Sequence, residues 1–200
     1  MSKPLILLVG AGGHCKSCID VIEQEGRFQI GGIVDRLGTN SPTDVLGYPL
    51  IGTDDDIEKL RANIEYALMT VGQVQSADVR IRLYNRFIEL GYRLPVIVSP
   101  LAHVSRHANL GEGTIVMHGV TVNAAARVGV NCILNSHCLI EHDAVVEDHC
   151  HISTGAIVNG QAAVGSGSFV GSGAVVVQCE NVAPGSFLRA HSLYFSGRCR

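Results

Sequence analysis

Charge is scarce in this chain: Asp, Glu, Lys and Arg make up 16% of its 200 residues, and the formal net charge is -3. A run of basic residues is missing, which argues against a surface built for nucleic acid or an anionic membrane. Long apolar runs are missing too. The stretch within MSKPLILLVGAGG stops at a glycine cluster, too short for a membrane span or the core of a secretion signal. It reads as a buried strand, and the chain is expected in the cytoplasm. Metal-ligand spacing is absent among the seven cysteines. Cys15 and Cys18 form a C-x-x-C, but behind a glycine-rich turn rather than in a thioredoxin-like setting, so a packing role is the simpler reading. Cys179 and Cys199 stand alone.

What the chain has instead is a period. Stepping back from Leu188 by six meets Val182, Val176, Val170, Val164, Val158 and so on to Val104, fifteen aliphatic residues without an insertion. Two places before each stands a small residue such as Ala144, Ala156 or Ala162, and Cys132, Cys138 and Cys150 serve in the same slot. Val120 and Glu180 are the exceptions. One aliphatic per hexad beside one small corner residue is the rule of a parallel β-helix, at three hexads per coil.

Residues 1–98 read differently. Strand-like runs at Leu5–Val9, Ile30–Val34, Tyr66–Val71 and Leu94–Val98 alternate with helical spacing at 15–25, from Asp54-Asp55-Asp56 to about Ala62, and at Ala77–Leu90. A loop containing Gly38, Pro42 and Gly47 follows the second strand. The alternation implies a small parallel sheet with helices on its faces. Ser99-Pro100 is the expected hinge, 99–189 the solenoid, and 190–200 a tail outside the pattern.

Two groups of residues carry chemistry. Gly10-Ala11-Gly12-Gly13-His14 ends the first strand, where glycines let a phosphate or ribose approach the backbone and a helix start offers amides to an anion. Asp35 ends the second strand, where an acid commonly meets ribose or base. Cys15 occupies the third-glycine place of the dinucleotide fingerprint, so a nucleotide is favoured over NAD. The second group is a histidine cluster: His103, His107, His118, His137, His142, His149 and His151. No two of them are separated by a multiple of eighteen, so none share a column on the solenoid, and no metal is expected. His142 is flanked by Glu141 and Asp143. A carboxylate within reach raises an imidazole pKa and fixes its tautomer, which makes a general base.

Together, G-A-G-G-H at Gly10–His14, Asp35, N-S-x5-E-H-D at Asn135–Asp143 and H-I-S-T-G-A at His151–Ala156 closely resemble the NeuD/PglD-like sugar acyltransferases. The resemblance spans about residues 4–189. It implies a Rossmann-like nucleotide-sugar domain followed by a left-handed β-helix, acetyl-CoA as co-substrate, and a homotrimer. It makes His142 the base and Asp143 its acidic partner. Gly12, Gly13 and His14 would line phosphate or ribose, Asp35 and Arg36 the base, Gly72 the neighbouring strand end, and Asn135 the sugar. His151 and Gly160 would meet the pantetheine arm and thioester, Gly160 through its N–H, with Ser172 and Gly173 further along the CoA. Arg36 stands where relatives often carry a second acid. The function implied first is N-acetylation of a nucleotide-linked 4-amino-4,6-dideoxy sugar for a surface glycan. O-acetylation of a sialic-acid-like sugar and a non-catalytic nucleotide-sugar scaffold are the alternatives.

Overall fold

The computed structural model describes residues 2–36 and 43–197. Gly38 and Pro42 of the expected loop, and Cys199, lie outside the described residues. The first apolar run becomes β1 (Leu5–Val9), whose Ile6 to Val9 are at most 1% exposed, so this strand is the centre of the sheet. It pairs in parallel with β2 (Gln29–Val34) on one side. Beyond β2 come β3 (Asp44–Val45) and β4 (Tyr48–Gly52), β4 parallel to β2 and β3 antiparallel at the edge. Between β1 and β2 runs α1 (Gly13–Glu25), which closes at Gly26 with φ 75° and buries Cys15, Cys18, Ile19, Val21 and Ile22. Burial pushes both thiols up, the opposite of a reactive cysteine.

The expected second helix is a single turn, α2 (Ile57–Leu60). Asp56 accepts the Thr53 N–H and hydroxyl just before it, so the acidic run serves a turn more than a helix. Next come β5 (Tyr66–Met69), parallel to β1 on its free side, and α3 (Asp78–Glu89). The chain thus leaves β1 in one direction for β2 and in the other for β5. A ligand crevice opens outside the carboxyl ends of the strands at such a switch point.

From Ile97 the chain winds as a left-handed β-helix of two-residue strands six residues apart, β6 (Ile97–Val98) to β22 (Leu193–Tyr194). Each pairs in parallel with the strand eighteen residues on, as Thr121 with Leu139 and Ile133 with His151. The second residue of each strand points inward, and Val116, Ile140, Ile152, Val158 and Val176 are 0% exposed. Every corner from Gly113 to His191 has its sixth residue at positive φ. Asp143 takes that place with φ 60°, a conformation that Asp tolerates better than branched residues.

Both ends of the solenoid differ from expectation. Ile97–Val98 pairs with Ile115–Val116 of the solenoid, not with the N-terminal sheet, which reaches Arg93 only through an isolated bridge to Tyr66. Leu193–Tyr194 pairs with Val175–Val176, so the ladder runs on into the expected tail. Val98 and Tyr194 are simply the next hexad positions outward.

The outward residues distinguish three faces. Ile97, Ile115 and Ile133 are 0% exposed because the N-terminal domain, through α1 among others, lies on that face. The next face carries Leu139, Ile157, Val175 and Leu193, and the third Asn109, Arg127, Val145, Ala163 and Asn181. Polar groups tie the junction. His118 lies between Asp20 of α1 (2.7 Å) and the Ser99 hydroxyl (2.6 Å), a bond that holds the Asp20 carboxyl below its usual range. Arg80 of α3, 1% exposed, donates to the carbonyls of Met69 (2.7 Å), Val71 (2.9 Å) and Asn131 (3.3 Å), joining sheet end to solenoid. Replacing Arg80 by Met should leave three carbonyls without donors and cost about 3 kcal/mol, read as a lowered urea midpoint. Arg82→Met, on the exposed side of α3, should change stability by less than about 0.5 kcal/mol.

Candidate active site

The glycines of the first turn divide into two kinds. Gly10 has φ 109°, and a Cβ there would meet Val71 at 2.5 Å, so the fold itself needs it. Gly12 and Gly13 have ordinary φ, and a Cβ on either meets nothing within 4 Å. Their missing side chains leave open a hollow of about 320 Å³ at the start of α1, lined also by Lys16, Asp44, Val45 and Leu46. Backbone amides at a helix start, with a lysine one turn in, have the chemistry to hold an anion. Lys16 was not singled out in the sequence, although it stands three residues after Gly13, on the first turn.

Asp35 does not reach freely into a ligand space. Its Oδ2 accepts the Ala11 N–H (2.9 Å) and its Oδ1 the Arg36 N–H (2.7 Å), so it shapes the glycine turn. Beside it, a second cavity of about 140 Å³ at the strand ends is lined by Asp35, Arg36 and Asp54 with the apolar residues Val34, Val71 and Leu83.

His14 points toward the solenoid. Gly72 lies against it, a Cβ there falling 3.7 Å from that of His14. Burial, then the charges of Arg80 and His151, push the His14 pKa down to about 3, so it is neutral in physiological conditions. Its Nε2 has no hydrogen-bond partner among the described residues. His151 is also neutral, pushed to about 4 chiefly by burial. Its Nδ1 bonds the Gln73 carbonyl (2.6 Å) and its Nε2 meets the Asn135 amide nitrogen (3.2 Å). These contacts fix the tautomer: Nδ1 carries the hydrogen and Nε2 accepts from Asn135. At 7% exposure, with both nitrogens engaged, His151 sits inside this chain rather than along an open pantetheine track. The sequence could not show this, because it depends on which solenoid face the N-terminal domain covers.

His142 is the opposite case. It stands at the corner after Leu139–Ile140, more than half exposed, and its Nδ1 lies 2.9 Å from Asp143 Oδ2. That hydrogen bond raises the imidazole pKa above its ordinary value, with the charges of Asp143 and Glu141 adding to it. The carboxylate can only accept, so Nδ1 bears the hydrogen and Nε2 keeps a lone pair. Glu141 is occupied by the Asn123 amide (2.9 Å) and the His142 N–H (3.2 Å), which leaves Asp143 as the orienting acid.

Gly160 lies one coil below, eighteen residues on. A Cβ there would meet His142 Cε1 and Nε2 at 2.9 Å, so glycine is what lets the imidazole lie over this corner. The structure therefore sets Gly160 beside His142, not beside His151. Asn135, Ser172 and Gly173 fall on another corner, where Ser172 Oγ bonds Ser153 Oγ (3.0 Å) and Gly173 lies under the His191 ring. The two corners flank the face that carries Leu139, Ile157, Val175 and Leu193 on either edge. Among the described residues no group of three His, Cys, Asp or Glu converges as for a metal, and no helix is long and apolar enough to cross a membrane.

A nucleotide-type crevice on a hexapeptide solenoid, with an oriented imidazole at a glycine-cleared corner, defines an acyltransferase. Residues 5–87 match the family model of the PglD N-terminal domain. The whole chain is similar to the acetyltransferase domain of PglB from Neisseria gonorrhoeae FA1090, with a TM-score of 0.87 and 29% identity over 96% of this chain and 92% of that one. It is similar also to a histidine-to-asparagine variant of perosamine N-acetyltransferase from Caulobacter crescentus, solved with CoA and GDP-perosamine. That match has a TM-score of 0.90 and 27% identity over 97% of this chain and 90% of that one. WeeI from Acinetobacter baumannii AYE shares the fold at 18% identity, with a TM-score of 0.74 over 99% of each chain. These matches support the resemblance of the chain to the NeuD/PglD-like sugar acyltransferases.

Proposed function

We propose that this enzyme transfers the acetyl group of acetyl-CoA to the amine of a nucleotide-linked 4-amino-4,6-dideoxy sugar, in the cytoplasm, for a surface glycan. The observation that carries the reading is His142, exposed, held by Asp143 through Nδ1, with Nε2 over the cleared space at Gly160. The relatives solved with acetyl-CoA, or with CoA and GDP-perosamine, support the two co-substrates. In this reading Gly12, Gly13 and Lys16 take the phosphates, Asp35 and Arg36 border the base, and His14, Gly72 and Asn135 face the sugar.

The chemistry needs no covalent enzyme intermediate. The amine nitrogen attacks the thioester carbonyl carbon, a C–N bond forms, and the carbonyl pair moves to oxygen. His142 Nε2 takes the proton that leaves nitrogen, and Asp143 stabilises the imidazolium. Among the described residues no acceptor takes the Gly160 N–H, so it is available to the oxyanion, an interaction worth about 10²–10³ in rate. Collapse breaks the C–S bond, and the proton passes from His142 to the departing thiolate.

The site closes between copies. Leu139, Ile157, Val175 and Leu193 form an apolar stripe on one of the two faces that the N-terminal domain leaves open, Leu193 being 67% exposed. The His142–Gly160 corner borders one edge of this face and the Asn135–Ser172–Gly173 corner the other. Around a threefold axis, heterologous packing of this face brings the first corner of one chain to the second corner of the next. CoA would then run along Ser172 and Gly173 of the neighbour toward His142. Sedimentation should give a mass near three times 21.2 kDa.

Gly13→Val tests the nucleotide assignment, because a Cβ at this position has no protein atom within 4 Å. The KM for the sugar nucleotide should rise by more than about tenfold while acetyl-CoA affinity stays within about twofold. An unchanged KM would mean that the glycine turn has no ligand.

A further inference from the structure

Of the three aspartates Asp54, Asp55 and Asp56, the fold uses one. Asp56 accepts from Thr53, and Asp55 is exposed. Asp54, about a quarter exposed (26%), lines the cavity of about 140 Å³ at the carboxyl ends of β1, β2 and β5. There its carboxylate lies 3.9 Å from Arg36 Nε, outside hydrogen-bond distance, and it accepts no hydrogen bond among the described residues. Asp35, the acid more obvious in the sequence, is already taken up by two backbone N–H groups. The acceptor still available in this cavity is therefore Asp54.

The cavity has the character of a base slot. Its walls at Val34, Val71, Val79 and Leu83 are apolar, which suits the faces of a planar ring, and it lies across the glycine turn from the Lys16 hollow. A phosphate would be repelled by Asp54, so the anionic part of a nucleotide belongs at Lys16 and the uncharged ring here.

We infer that Asp54, with Arg36 beside it, selects guanine, so that the sugar substrate is a GDP-sugar. This rests on the nucleotide site proposed above. Guanine presents, along one edge, the O6 acceptor and then the N1–H and N2–H donors. A guanidinium beside a carboxylate is the complement: Arg36 donates to O6, and the two Asp54 oxygens accept N1–H and N2–H in a bidentate pair. Uracil and thymine present acceptor, donor, acceptor. Their N3–H would satisfy one Asp54 oxygen, and their second carbonyl would face the other, acceptor against acceptor. Cytosine offers the carboxylate a single amino group, with an acceptor nitrogen next to it.

Calorimetry on the full chain with GDP, UDP, dTDP and CDP tests this directly. GDP should bind at least about tenfold more tightly than the others, the discrimination expected of one good bidentate pair. Asp54→Asn keeps the side chain's size but replaces one acceptor by a donor, which suits N3–H beside C=O. The variant should lose affinity for GDP and gain it for UDP or dTDP, reversing the order, while Asp55→Asn leaves the order as it was. A pyrimidine nucleotide binding the unaltered protein as well as GDP would overturn the inference and leave the nucleotide site standing. So would an unchanged GDP preference in Asp54→Asn. Binding of acetyl-CoA with no response to any of the four would overturn the nucleotide site itself, and the inference with it.

Discussion

The His142→Ala enzyme is expected to lose about 10²–10⁴ of kcat, with acetyl-CoA affinity nearly unchanged. The imidazole is exposed and touches its own chain mainly through Asp143 and the Gly160 corner, so removing it should disturb chemistry rather than folding. Its pH dependence carries more information than the loss alone. A base works when unprotonated, so kcat/KM of the unaltered enzyme should fall as pH drops through the His142 pKa, which Asp143 raises. Asp143→Asn removes that cause, and the acidic limb should move to lower pH with a smaller plateau, since the tautomer is no longer held. Near-wild-type turnover of His142→Ala at neutral pH would end the assignment.

The second large effect concerns how the site is shared. His142→Ala and Ser172→Trp should each be close to inactive alone, one lacking the base and the other blocking the corner offered to its neighbour. Assembled together in equal amounts they should regain activity. A working site needs an intact His142 corner from one chain and an open Ser172 corner from the next, so about one quarter of sites qualify under random assembly into closed rings. His142→Ala with Gly160→Trp should regain nothing, because both lesions fall on the same corner. Equal recovery from the two mixtures, or a fully active monomer, would contradict the shared site.

These outcomes depend on features that the sequence displays unequally. The solenoid is legible because its geometry repeats in sequence: one inward aliphatic every six residues leaves no other period. His142 and Asp143 are legible because they are adjacent, so their contact needs no tertiary knowledge. Gly160 is legible only as arithmetic, eighteen residues from His142, and the resemblance drew it toward His151 instead. The burial of His151 is not legible at all, since Gln73 and Asn135 meet it only once the N-terminal domain lies on that face. The same holds for Arg80, which reads as one more charge on an amphipathic helix yet is fully enclosed between sheet and solenoid. Asp54 looks like part of a helix-start acidic run, and only the fold brings it to the cavity at the strand ends beside Asp35 and Arg36.

The central claim is amide formation by direct transfer, and the product tests it most directly. The purified enzyme would be given acetyl-CoA and a nucleotide-linked 4-amino-4,6-dideoxy sugar, and the product analysed by mass and by stability to mild alkali. The account predicts one acetyl group added as an alkali-stable amide, formed only when both substrates are present and nearly absent with His142→Ala. An alkali-labile ester, or an acetylated enzyme isolated before the sugar is added, would contradict it.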